Sequence, residues 1–337
     1  MDGPIQIVGL GEVLMDIFED GTATLGGAPL NVAVHAHQLL KSLDLGEGIV
    51  VSCIGKDEWG RHIQSDLKKY AMRLDYITVA DKPTGTSLVF ENQDEIKFEI
   101  CKDAAWDSLA PSAATKTLAQ RCTAVTFGSL AQRGATSRSA IQEFVSEVDG
   151  IRLYDVNLRR NTTDGEAGYS RSIIEGSCLL ANYIKMNISE LAEIGEMFGY
   201  NNARLLGEEC IFPVMERLRR EFSLRGVIVT RSRHGALFCD ATEQITMPPC
   251  ETLIKEVHPL GAGDAFSAGI LFGLSRGWPI STCLQLAEAM GTWIAQHVSA
   301  TTPLSSEIIA FARHQLPLER IEWGVKGTLQ SSAHGSS

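Results

Sequence analysis

In residues 259–274, PLGAGDAFSAGILFGL, an aspartate stands directly behind three small residues at the start of an apolar helix. Phe266, Ile270 and Leu274 recur at helical spacing, so the helix begins close to Asp264. Gly261, Ala262 and Gly263 let backbone amides approach a ligand closely, and a helix N-terminus carries partial positive charge. Such a turn suits the negative charge that develops on a transferring phosphoryl group. An aspartate at the same turn can accept the proton of an attacking hydroxyl. The same residues also read as an ordinary helix start, with Asp264 as N-cap and the glycines shaping the turn.

A second helix start lies in GGAPLNVAVHAHQLL, residues 26–40. Val32, Ala33, Ala36, Leu39 and Leu40 have helical spacing, which puts Gly26 and Gly27 just ahead of the first turn. Adjacent glycines allow close backbone contact with a ligand, or simply form a turn; Asn31 offers both donor and acceptor. In KMNISEL, Asn187 and Glu190 stand three apart where a helix should begin, the spacing of a capping box. Asn187-Ile-Ser189 is formally a glycosylation sequon, which a cytosolic chain does not use. Asn157 and Arg159 follow a strand end, with Arg160 an alternative to Arg159 as the residue that points inward. Asp16 can accept from two hydroxyls at once, or lie as a polar residue on the outer face of its strand.

Gly26, Gly27, Asn31 and Ala33, with Gly261 to Asp264 more than two hundred residues later, resemble the two signatures of the ribokinase-like carbohydrate kinases of the PfkB family. The resemblance runs from about residue 5 to about residue 315. It includes IGKDEWG at 54–60 and Asn187-x-x-Glu190, while GEVLMD at 11–16, GGAPLN and DVNLR at 155–159 look most like the fructokinase branch. It implies an ATP-dependent kinase acting on a hydroxyl of fructose or a related ketose. Asp264 would be the catalytic base, and Gly261, Ala262 and Gly263 would supply the anion hole. Asp16, Gly26, Gly27, Asn31 and Arg159 would hold the sugar. Thr230, Gly235, Asn187, Glu190 and Gly263 would hold ATP, with Glu190 reaching Mg²⁺ through water, because this ion keeps much of its hydration.

Two stretches depart from the family pattern. His258-Pro259-Leu260 stands where the family has Asp-Thr-Thr or similar, in a loop associated with a monovalent cation, so dependence on potassium is an open expectation. Ser232 stands where the nucleotide loop has its first glycine, and Arg231 and Arg233 would contact phosphate or remain solvated.

The elements that must position these residues alternate along the chain. Strands are expected at 5–10, 49–54, 124–129, 152–156, 182–187 and 226–231, with amphipathic helices near 57–70, 136–148, 170–180 and 204–222. Such alternation implies βαβ crossovers and a mostly parallel sheet with helices on both faces. Ligands then sit at the carboxyl ends of the strands. Residues 86–91 and 95–101 break the pattern: Ile96, Phe98 and Ile100 alternate with Lys97 and Glu99, so this is a hairpin outside the main sheet. LMDIF at 14–18 and TATL at 22–25 would pair with it, forming a small β lid, or an edge extension of the sheet. The expected whole is a three-layer αβα, ribokinase-like fold as one domain over 1–325. Its lid comes from about 12–27 and 84–106, and a flexible tail covers 326–337.

Composition narrows the remaining classes. A formal net charge of −11 opposes non-specific binding to nucleic acid or anionic membranes. The eight cysteines are scattered, with no CxxC pair, and read as reduced; together with an acidic N-terminus unlike a signal peptide they point to a cytoplasmic protein. The third glycine of a dinucleotide fingerprint is replaced by Leu14, no GxxxxGK[ST] occurs, and His35 and His37 on one helix point apart. Two rivals remain: a nucleoside kinase of the same fold, with Trp106 offering an aromatic slot for a base, and a regulatory protein that binds sugar or nucleotide without turnover. An open lid edge would also allow a homodimer.

Overall fold

The computed structural model describes residues 3–92, 95–159, 168–200, 208–249, 258 and 260–316. Arg160, Cys250, Pro259 and the expected tail at 326–337 lie outside the described residues. The chain opens with strands β1 (Ile5–Leu10), β2 (Leu14–Phe18) and β3 (Ala23–Gly26), then helix α1 (Ala28–Ser42) and strand β4 (Gly46–Gly55). Helix α2 (Glu58–Lys69) and strand β5 (Ile77–Ala80) precede a hairpin of β6 (Gly85–Asn92) and β7 (Glu95–Ile100). Strict alternation follows: α3 (Ala113–Ala119), β8 (Ala124–Gly128), α4 (Ala135–Ser146), β9 (Ile151–Asp155), α5 (Arg171–Leu180) and β10 (Tyr183–Asn187). After α6 (Ile188–Met197) and α7 (Glu208–Glu221) come β11 (Gly226–Thr230), β12 (Ala236–Cys239) and β13 (Gln244–Met247). Helices α8 (Ala262–Ser275), α9 (Ile280–Ile294) and α10 (Ser306–His314) complete the described chain.

The large sheet has the order β13-β12-β11-β10-β9-β8-β1-β4-β5 and is parallel except at β12 and β13. Its strands read as apolar runs because both faces are covered. The period of two sorts each strand between two cores. Val125, Phe127, Tyr154, Ile184 and Met186 face the core shared with α4 to α7. Ile5, Ile7, Ala124 and Leu153 face the core shared with α1, α8, α9 and α10. The expected strands and helices all form, with ends shifted by a few residues. Strands β5, β12 and β13 were not expected; at four residues each they are too short to show a period.

The lid forms as a separate four-stranded sheet of order β3-β2-β6-β7, with β2 and β6 parallel and both outer pairs antiparallel. Its register sets Asp16 beside Ser87 and Ser87 beside Ile100 on one face. That face closes over the carboxyl ends of the large sheet.

Trp106 has no place in a ligand slot. It is fully buried in the core, and the Arg133 guanidinium lies 4.0 Å from its ring centroid. The nucleobase slot expected there is therefore corrected: an indole packed on all sides stabilises the fold and cannot stack on a ligand. Trp106→Ala should lower stability by about 3–5 kcal/mol through the cavity it leaves. Nucleotide binding measured well below the melting temperature should be unchanged; a lost nucleotide site with an intact melting temperature would restore the slot.

Candidate active site

A cleft of about 490 Å³ separates the lid from the large sheet. At its centre α8 begins. Gly261 adopts the left-handed conformation (φ +78°), and a Cβ there would come within 2.5 Å of Ala300 Cβ, so the turn requires glycine. No side chain caps the helix, which leaves its first amides available. Asp264 therefore lies in the first turn and is not the N-cap. Its carboxylate is 9% exposed and accepts a 2.8 Å hydrogen bond from Asn31 Nδ2. Burial pushes its pKa up to about 6, against the pull of Lys185; Asp155 adds to the rise, and Asn31 and Arg159 oppose it.

Lys185 and Asp155 explain how such a carboxylate is tolerated. They are register partners in β10 and β9, and the strand period turns both toward α8. Lys185 Nζ donates to Asp155 Oδ2 at 2.9 Å and to the Gly263 carbonyl at 3.1 Å. Ser267, one turn into α8, donates to the same Asp155 oxygen at 2.9 Å. Burial works against the ammonium charge, but Asp155 and then Asp264 outweigh it and hold the pKa above the usual lysine range. An ammonium has three donors, so one N–H remains beyond these two bonds at the cleft wall.

The lid side carries two more buried carboxylates. Asp16 on β2 and Glu12 in the link from β1 are each 4% exposed. Burial raises both to about 7; Arg159 lowers both, and Asp264 raises both. Glu12 Oε2 has no hydrogen-bond partner. The paired glycines serve this arrangement for different reasons. A Cβ on Gly26 would stand 2.2 Å from Asp16 Oδ2, and one on Gly27 (φ +107°) would stand 2.5 Å from the Glu12 carbonyl. Arg159 reaches the same end, its guanidinium 4.6 Å from the Phe98 ring centroid of the lid.

At the other end, Asn187 and Glu190 form the capping box that their spacing allowed. Asn187 Oδ1 accepts from the Glu190 amide at 2.9 Å, and Glu190 Oε2 accepts from the Asn187 amide at 2.8 Å. The second Glu190 oxygen accepts from the Leu158 amide at 2.8 Å, tying α6 to the turn after β9. Burial raises the Glu190 pKa, against the pull of the Asn187 amide. Ser232 has φ +49°, a left-handed turn formed without glycine at a cost of about 1 kcal/mol. Arg231 donates to the His234 carbonyl at 2.8 Å, and the His258 amide donates to the Ala295 carbonyl at 2.8 Å.

Asp16, Gly27, Asn31, Arg159, Asn187, Glu190, Thr230, Gly261, Gly263 and Asp264 thus share one cleft. Gly26, Ala262 and Gly235 lie outside its walls; Gly235 (φ +76°) shapes a turn against the Met247 carbonyl. Glu12, Asp155 and Lys185 were missed. The available signal was a lysine inside an apolar strand, IKM, and an acid at a strand end, LYD.

Residues 9–307 match the model of the pfkB family of carbohydrate kinases. The chain is 27% identical over 325 residues to a fructokinase of Klebsiella pneumoniae, covering 90% of this chain and 97% of that one. It is 25% identical over 317 residues to an ATP-dependent 6-phosphofructokinase of Thermoanaerobacterium thermosaccharolyticum, covering 90% and 92%. A fructokinase from Vibrio cholerae O395, solved in a fructose, ADP and calcium ion bound form, shares the fold with a TM-score of 0.72 at 22% identity, covering 91% and 99%.

Carboxylates whose pKa is raised on folding make stability depend on pH with a definite sign. Asp16 ionises near its ordinary 3.8 in the unfolded chain and at about 7 in the fold. Its contribution is most favourable below pH 4 and is lost as pH rises through 7. Asp16→Asn should therefore stabilise the protein at pH 8 by about 1–3 kcal/mol and by clearly less at pH 5, read by urea unfolding. An equal effect at both pH values would mean that the carboxylate is not strained.

Proposed function

The chain belongs to the pfkB family of carbohydrate kinases, phosphotransferases with a hydroxyl acceptor, and we propose that it moves the γ-phosphoryl group of ATP to a hydroxyl of fructose or a closely related ketose. One juxtaposition carries this reading: a buried carboxylate, Asp264, in the first turn of an uncapped helix, across the cleft from the lid carboxylate Asp16.

In this reading Asp16 and Asn31 hold sugar hydroxyls under the lid. Asn31 keeps one Asp264 oxygen occupied, so the other accepts the proton of the attacking hydroxyl. A pKa of about 6 makes Asp264 a stronger base than an exposed aspartate while leaving it ionised at neutral pH. The sugar oxygen bonds to the γ-phosphorus as the bridging P–O bond breaks, ADP leaves, and the proton stays on Asp264. Amides from Gly261 to Gly263, together with the spare N–H of Lys185, balance the charge on the moving group.

Asn187 and Glu190 fit Mg²⁺ only through water. Both Glu190 oxygens already accept backbone amides, yet each keeps a lone pair that a hydrated ion can use. Bound with ATP, Mg²⁺ supplies neutralisation of phosphate charge.

ADP release should be measured with ATP and Mg²⁺ across fructose, other ketoses, fructose 6-phosphate, sugar acids and nucleosides. Fructose or a close ketose should turn over best; a preference for nucleosides would overturn the substrate class. Asp264→Asn should nearly abolish turnover while ATP still binds, and substantial retained activity would remove Asp264 as the base. For the wild type, kcat/KM should rise with pH through about 6 to 7 and then level off, because Asp264 acts only when ionised and Asp16 accepts the sugar hydroxyls as a carboxylate.

A further inference from the structure

Helix α1 carries a row of polar side chains on one face. Asn31, His35 and Gln38 follow one another at i, i+4 and i+7 and therefore share a face. Each makes a bond far along the chain. Asn31 donates to Asp264, His35 Nε2 donates to the Ala300 carbonyl at 2.8 Å, and Gln38 Oε1 accepts from the Leu304 amide at 2.8 Å. From α2's C-terminal end, the Tyr70 hydroxyl donates to the next carbonyl, Thr301, at 2.8 Å. Four side chains on two helices thus fasten Asp264 and the 300–304 segment to one support.

That segment is the seat of the glycine turn. Ala300 is fully buried, and Gly261 packs so closely on it that even a methyl group would not fit between them. Three residues before Gly261, the His258 amide donates to the Ala295 carbonyl at 2.8 Å. A shift of Ala300 would therefore shift Gly261, and with it the amides ahead of Asp264. We infer that His35, supported by Gln38 and Tyr70, is a positioning residue for the phosphate-facing turn at Gly261 to Gly263. The inference rests on the phosphoryl-transfer role assigned to that turn above.

His35 suits this task because it is neutral. It is fully buried, and burial pushes its pKa down to about 4 against the pull of the Ala300 carbonyl. A carbonyl can only accept, so the proton sits on Nε2 and Nδ1 is left without a partner. The ring acts as a rigid N–H arm, and its charge does not change over the working pH range.

The test compares His35→Leu, which removes the donor, with His35→Gln, whose amide can reach the same carbonyl, and with Tyr70→Phe, which removes only a hydroxyl. Two readouts are taken: hydrogen exchange of the Gly261 to Asp264 amides in the free protein, and turnover with ATP and the best sugar. His35→Leu should speed exchange at those amides and lower kcat by about tenfold to a hundredfold, with smaller changes in either KM. Tyr70→Phe should do the same more weakly, and His35→Gln should recover most of both. If His35→Leu does not fold, Tyr70→Phe against wild type decides alone. Unchanged exchange and kcat in the folded variants, with only a lower melting temperature, would overturn the inference. Faster exchange with wild-type kcat would instead overturn the role of this turn in phosphoryl transfer, while leaving the fastening intact.

Discussion

Charge buried at the start of α8 constrains the rest of this molecule. A carboxylate kept from water in a protein interior neutralises itself unless opposite charge and hydrogen bonds hold it. Asp264 receives both, from Lys185 through space and from Asn31 directly. Lys185 in turn stays charged because Asp155 is its register partner, and Asp155 is held by Ser267 of the helix that carries Asp264 in its first turn. The chain of contacts closes on itself: strand, lysine, helix and aspartate each depend on the others. Removing one partner would leave an uncompensated charge, the costliest defect a core can contain.

The lid side follows the opposite logic. Glu12 and Asp16 are buried with far less compensation, and Arg159 alone pulls on both. Burial is what raises both pKa values, and one Glu12 oxygen is left without a hydrogen-bond partner. The two glycines ahead of α1 belong to this arrangement: one makes room for the Asp16 carboxylate and the other for the Glu12 backbone. The glycine pair is thus a packing requirement of the fold.

The start of α6 is braced twice. Asn187 and Glu190 cap α6 reciprocally, and Glu190 also fixes the turn after β9. At Ser232 the turn keeps the left-handed shape a glycine would give, and the cost of that shape is small enough for the surrounding bonds to hold it.

The amino-acid sequence by itself determined the parts of this protein whose causes are local. Alternating apolar runs and amphipathic stretches gave a parallel sheet between helices, and the period-2 stretch at 96–100 marked a separate hairpin. Small residues ahead of Asp264 and of Asn31 marked two helix starts, because the backbone freedom they supply is used within a few residues. What faces what was decided only in three dimensions. Lys185 meets Asp155 because two strands pair in one register, and Asn31 reaches Asp264 because α1 and α8 pack side by side across 233 residues of chain. Trp106 looked available in its stretch of sequence, yet the core closed around it. Spacing along a chain reports contacts over one or two turns, whereas these pairings depend on how whole elements bury their apolar faces, which no short stretch of residues records.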